Sequence, residues 1–299
     1  MKPAHLALAI LIAAIWGFNF IPIKLAVNEV PPFMLTALRF FFAAIPAIFF
    51  IPRPKESFSW VAAFGLMLGI GQFGFLFLAI KLGLPAGLTS LVMQLQAFFT
   101  IFFAWMIMNE VPKPQQTVGS LVAFAGMGAI AFDRWTGSQV LPLLLCITAA
   151  AGWAAANIIS KMIRPQNTTS FVIWSGLAVP IPMLILSWFF EDHAQALAVF
   201  THPSLTVVLS LLYLVVLSTI FGYAGWNYLF NHYTASTVAP FSLLIPLFGV
   251  LSAAVVFGER FDSFEIAGAV LIVLGLLVSN FGQKLWPKAK LAEPESSAS

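Results

Sequence analysis

The chain is a succession of apolar stretches, each near 20 residues long, separated by short polar breaks. About 20 apolar residues span the hydrocarbon core of a bilayer as an α-helix. A backbone in lipid must satisfy its own hydrogen bonds, which leaves only helices and closed barrels. The stretches fall at 4–24, 33–52, 60–82, 87–109, 116–133, 139–162, 170–190, 204–231, 236–257 and 263–283. Between them lie Pro31-Pro32, Pro52-Arg53-Pro54-Lys55, Pro112-Lys113-Pro114, Arg164-Pro165-Gln166-Asn167 and Glu191-Asp192-His193. Barrel strands would alternate apolar and polar residues, whereas Leu6 to Ile15 is apolar on every face. The expected fold is therefore an all-α membrane protein of about ten transmembrane helices, the eighth long enough to tilt or bend. Composition agrees: 61% of residues are hydrophobic and 8% charged, against about 25% charged in soluble domains. Too few polar side chains are present to cover a water-facing surface.

Lys2 before an apolar run resembles the start of a signal peptide, but Trp16-Gly17-Phe18-Asn19 offers no small-residue cleavage site, so the segment is read as the first span. The tail 284–299, with its Glu-Pro-Glu-Ser-Ser run, is expected to be disordered and cytoplasmic. With both termini cytoplasmic, Lys2, Arg53, Lys55, Lys113, Lys161, Arg164, Lys284, Lys288 and Lys290 lie inside. Lys24, Lys81, Arg134 and Arg260 lie outside, a bias that supports this orientation. A net charge of +3 spread over the loops makes no basic stripe, so nucleic acid is not an expected partner. Cys146 is the single cysteine and excludes an intramolecular disulfide.

The chain also repeats itself. A shift of 149 superposes Ala86 on Ala235, Phe99 on Phe248, Ala104 on Ala253, Glu110 on Glu259, Gly119 on Gly268 and Gly126 on Gly275. Near the start, Trp16 and Lys24 are echoed by Trp153 and Lys161 at a shift of 137, with Asn19 and Asn157 between them one residue out of register, so the second half holds about twelve more residues, placed near the 7–8 loop. Two five-helix repeats follow, 5–133 and 139–283. An odd number of spans per repeat makes the second enter the membrane inverted. Inverted repeats of this kind place a substrate site between the halves, near the bilayer midplane.

Trp16-Gly17-Phe18-Asn19 with Lys24, Leu38-Arg39-Phe40 after Pro31-Pro32, and Ala239-Pro240-Phe241-Ser242 running to Gly258-Glu259-Arg260 resemble the two EamA repeats of the drug/metabolite transporter superfamily. The likeness runs from about residue 5 to 283, and extends to Gln94-x-Gln96-Ala97-Phe98-Phe99-Thr100 and Ser242-Leu243-Leu244-Ile245-Pro246. It implies alternating-access export of small polar metabolites across a bacterial inner membrane, with amino acids of the cysteine and O-acetylserine type as substrates. A broader drug or metabolite carrier is the alternative within the superfamily.

Polar groups inside spans are costly in hydrocarbon and face the protein interior or a water-filled cavity. The candidates for substrate binding are Trp16, Asn19, Gln72, Gln94, Gln96, Trp153, Asn157, Tyr223, Trp226 and Asn227. A zwitterion needs acceptors for its ammonium and donors for its carboxylate; amides supply both, and an indole face holds a cation. Each has a plainer reading. The tryptophans can pack or anchor at the interface, and the asparagines can bond neighbouring helices. Gln94 and Gln96 point to different sides of one helix, so one of them is expected at a cavity. Arg39 can either meet substrate or snorkel to the outer interface. Glu110 and Glu259 are expected to cap or pair, Glu259 with local solvent as an option. Pro240 and Pro246 read as static shaping of the bundle or as a hinge. Gly65-x3-Gly69 permits close helix packing and hints only weakly at a dimer.

No Asp or Glu lies in the middle third of a span, no phosphate-binding Walker motif occurs, and His5, His193, His202 and His232 are scattered. No cofactor, metal or catalytic cluster is expected, and an enzyme acting on lipid intermediates is disfavoured for the same reason. The expected partners are a small solute and the bilayer.

Overall fold

The computed structural model describes residues 1–134, 140–233 and 235–282, and all regular structure among them is helical. Ten principal helices occur among the described residues: α1 (Pro3–Glu29), α2 (Pro32–Ile48), α3 (Phe58–Lys81), α4 (Ala86–Met108), α5 (Pro114–Arg134), α6 (Val140–Ile163), α7 (Thr168–Phe190), α8 (Leu205–Phe230), α9 (Phe241–Phe257) and α10 (Ser263–Phe281). All but α2 and α9 are long and apolar enough to cross a membrane; those two are shorter apolar helices. α2 stops at Ile48 rather than 52, ahead of Pro52, which has no N–H to donate to a preceding turn. The extra length of the second half is a short helix, His193–Thr201, between α7 and α8. Its N-cap Asp192 accepts from Gln195 N at 2.7 Å. The tail 284–299 lies outside the described residues.

The packing has an internal two-fold pattern. α5 lies on α10, α4 on α9 and α2 on α7, each pairing with its own counterpart; α1 contacts α9 and α8 as α6 contacts α4 and α3. The matched glycines allow the close crossing of α5 and α10. A Cβ on Gly119 would sit 2.5 Å from Gly275 O, and one on Gly126 would sit 2.7 Å from Gly268 O. Helices in lipid gain little from hiding apolar surface, so close backbone approach through small residues carries much of their association. Gly65 and Gly69 are used in the same way inside the bundle: a Cβ there would strike Ser175 O and the Val179 side chain of α7. Their motif serves the α3–α7 contact.

The helices are irregular where they pass the centre of the bundle. α1 breaks at Asn19 because Pro22 leaves the Phe18 carbonyl without its usual donor. α3 widens to a π-helical segment over Met67–Gly74, and α8 does so over the matching Tyr213–Phe221. α7 tightens to a 3-10 turn at Gly176–Ala178, before Pro180 and Pro182. α9 is entered through a 3-10 segment, Ala239–Leu243, and the side chain of Pro240 lies outside the described residues. π-helical segments in particular recur at functional sites.

Leucine at Gly119 is expected to force α5 and α10 apart and lower stability by roughly 1–3 kcal/mol, the usual cost of overpacking. Gly128 of the same helix has open space around it, so Gly128→Leu should leave the midpoint unchanged. Thermal unfolding of the two purified variants in detergent compares them directly.

A central cavity open at one face

A cavity of about 630 Å³ opens between α3, α6, α7 and α8. Trp153 and Asn157 of α6 face Tyr223 and Trp226 of α8 across it, with Phe64 and Leu68 of α3 along one wall. Ser160, Gln166, Asn167, Thr168 and Thr169 make its mouth at the α6–α7 turn. That turn shares a face with the N-terminus and the α2–α3 and α8–α9 connections. Gln166 N donates to Glu56 Oε1 at 2.9 Å, and His5 Nδ1 lies 2.9 Å from the Tyr233 hydroxyl.

The opposite face is shut by a cross-half contact. Lys24 Nζ donates to Glu259 Oε1 at 2.7 Å and lies 4.3 Å from the centroid of the Phe257 ring. The same carboxylate accepts from Ala86 N and Gly87 N, each at 2.9 Å, and so caps α4. A carboxylate at a helix N-terminus satisfies donors that have no partner within the helix and complements the helix dipole. Glu259 is thus both cap and ion pair, with only 11% of its side chain exposed, not a solvated turn residue. Its repeat mate, Glu110, pairs with Lys161 at the cavity-mouth face, where the side chains are 47% and 41% exposed. Each matched lysine therefore meets the matched glutamate of the other half.

The proposed site residues divide by position. Trp153, Asn157, Tyr223 and Trp226 line the cavity. Trp16 supports this wall: its Nε1 donates to Ser218 O at 2.9 Å, and its ring lies 5.6 Å from Tyr223 and 5.2 Å from Trp226. Gln96 reaches the site through Asn157, whose Nδ2 donates to Gln96 Oε1 at 2.9 Å and lies 3.2 Å from Thr100 Oγ1. Gln94 instead turns back along its own helix, 3.5 Å from Ser90 O, and is buried. Asn19 and Gln72 are buried at the irregular turns of α1 and α3, and Asn19 Oδ1 and Gln72 Oε1 have no hydrogen-bond partner among the described residues. The side chain of Asn227 lies outside the described residues.

Sequence reasoning passed over Gln166, Asn167 and Thr168, which read as loop punctuation, and it left Arg39 undecided. Arg39 does not snorkel: it is 3% exposed. Its Nη2 lies 3.4 Å from Thr219 Oγ1, its guanidinium carbon 4.0 Å from the centroid of the Phe73 ring, and Nη1 has no partner among the described residues. No group of three or more metal-ligating side chains occurs among the described residues.

The two-fold packing around one cavity coincides with two matches to a single family model, at residues 4–132 and 140–281. The chain belongs to the EamA-like transporter family. It is a multi-pass membrane transporter rather than an enzyme. It is 40% identical over 288 residues to the "Probable amino-acid metabolite efflux pump" of Escherichia coli (strain K12), covering 94% of this chain and 96% of that protein. The protein of the same name in Salmonella typhimurium (strain LT2) is 40% identical over 95% of this chain and 97% of its own. An "Uncharacterized transporter YoaV" of Bacillus subtilis (strain 168) is 25% identical, covering 90% and 94%. A solved crystal structure shares the fold, with a TM-score of 0.65 at 19% identity over 96% of this chain and 100% of the other. The two EamA-like matches fall on the two halves that the packing relates.

Glu259→Ala strands Lys24 and two amide groups, and is expected to cost roughly 1–3 kcal/mol of stability, as orphaned buried polar groups do. Glu110→Ala removes an exposed pair and should cost less than about 1 kcal/mol. Equal losses in thermal unfolding would show that the two latches carry the same load.

Proposed function

We propose that this EamA-like chain is a secondary transporter that exports small amino-acid metabolites by alternating access, with the cavity described above as its substrate path. The observation that carries the reading is a cavity of about 630 Å³, walled by indole, phenol and amide groups, open at one face while Lys24 and Glu259 join the two halves at the other. Aromatic walls with a few convergent polar groups are the usual form of a small-molecule site. Amides and indoles suit a zwitterion, which offers both a donor head and an acceptor head. The names of the E. coli and Salmonella relatives support amino-acid metabolites as the class, and the family resemblance supports cysteine and O-acetylserine as its members. A volume near 630 Å³ lies in the range that takes drug-sized ligands. That size favours, as a second reading, a carrier with a wider metabolite range.

The membrane is the bacterial inner membrane, and the cavity mouth faces the cytoplasm, a direction that the lysine and arginine distribution supports. In this arrangement the chain stands open toward the cytoplasm, ready to load an exported solute. The repeats 5–133 and 139–283 supply the parts that move about the cavity, with α1 and α6 each packed on helices of the other repeat.

Counterflow into liposomes of a panel of labelled amino acids and related metabolites tests the substrate class; a folded protein that moves none of them overturns it. Trp16→Ala and Asn157→Ala should each lower flux with membrane abundance unchanged, because one removes the support of the aromatic wall and the other the amide inside it. Orientation has its own check. Cys146 is buried, so Thr168→Cys introduces the reactive thiol. An impermeant maleimide should label it from the cytoplasmic side of inverted vesicles and not from the outside of intact spheroplasts.

A further inference from the structure

Arg39 is a charge in search of a partner. It is 3% exposed in the bundle, and no carboxylate pairs with it among the described residues. What holds it is weak: the long contact of Nη2 to Thr219 and the face of Phe73 beneath the guanidinium, while Nη1 has no hydrogen-bond partner. A guanidinium stays protonated in proteins and keeps its charge when buried. An unpaired buried charge is strongly destabilising, and an ionisable group kept at membrane depth without a partner marks a functional site.

The space beside it explains what the partner is. Arg39, Thr219 and Tyr223, with apolar side chains of α2, α3 and α7, enclose a void of about 20 Å³. Leu68, Val172 and Tyr223 line both this void and the large cavity, so the two spaces adjoin across these three side chains. The geometry points to an anion subsite at the inner end of the substrate path, in which Arg39 receives the carboxylate of the transported solute. Arg39 Nη1 is the open donor of the subsite. The void is too small for a whole metabolite, so the carboxylate head alone enters it. The rest of the solute stays among Trp153, Asn157 and Trp226. A single guanidinium between apolar walls fits a small monoanion; a phosphate dianion would leave charge uncompensated. The planar fork also suits a carboxylate better than a lysine ammonium would.

This inference rests on the proposed substrate path and adds the part of the solute that the path recognises. It is tested on the full chain in nanodiscs, with tryptophan fluorescence as the readout and matched pairs as probes: O-acetyl-L-serine and L-cysteine against their methyl esters, and lactate against lactamide. In the unmodified protein at least one acid should bind at least about tenfold tighter than its carboxyl-blocked partner, the scale of a charge-assisted hydrogen bond. Arg39→Gln should erase that gap while leaving the affinity of the blocked partner in place. Arg39→Lys, which keeps the charge should the glutamine variant fail to fold, should narrow the gap. The assignment is overturned if no acid is favoured over its blocked partner in the unmodified protein, or if the gap persists unchanged in a folded Arg39 variant. A gap confined to the lactate pair supports the subsite and sinks only the amino-acid reading. Amino-acid binding without a gap does the reverse.

Discussion

In hydrocarbon every backbone N–H and C=O must find its partner within the protein, and the rest of this structure follows from that requirement. It imposes helices at the periphery of the bundle, where lipid lies. It also confines every departure from regular helix to places covered by other helices or facing a cavity. The break at Asn19 and the 3-10 turn of α7 lie among other helices, while the π-helical segment of α8 buries Leu214, Val215, Ser218 and Thr219 and turns Val216, Leu217, Ile220 and Phe221 outward. Gln72 and Thr219, side chains that bring polar atoms into the bundle centre, sit on the two π-helical segments. The irregular backbone and the buried polar side chains therefore occupy the same region.

Symmetry makes that region work as a carrier. Two related halves joined by like-to-like crossings at α5–α10 and α4–α9 have no reason to prefer one closed face over the other on sequence grounds alone. The asymmetry observed is carried by the environment of two matched pairs. Lys24 and Glu259 are largely enclosed, and that glutamate also holds the start of α4; Lys161 and Glu110 are half exposed beside the open mouth. Equivalent residues thus sit in unequal surroundings at the two faces.

Much of this was legible before the fold was known, because each legible item had a local cause. Span length fixes helix number, repeat spacing exposes the two halves, and prolines mark helix ends. The matched glycines and the matched Glu and Lys residues carried tertiary meaning as well, since a residue kept at the same place in both halves meets its counterpart across a two-fold. The cavity was half legible. Trp153, Asn157, Tyr223 and Trp226 line it, whereas Gln94 folds back on its own helix and Trp16 buttresses the wall instead of facing the cavity. Which side of a helix faces a cavity depends on its rotation against its neighbours, and a helix apolar on all faces carries no pattern that reveals that rotation. Gln166, Asn167 and Thr168 were invisible for a related reason: a polar turn looks the same whether it rims a cavity or only faces water.

The sequence by itself determined that the chain dissolves in lipid, crosses it about ten times and does so as two inverted halves. Those properties follow from hydrophobic length, odd span number and repeat spacing, none of which needs a third dimension. Tertiary structure alone decided which face is open, which lysine is shut against which glutamate, and that Arg39 turns inward with a donor unspent. A guanidinium in the second span can reach an interface or a core with equal ease along the chain. Only the packing of α2 against α3, α7 and α8 selects the core.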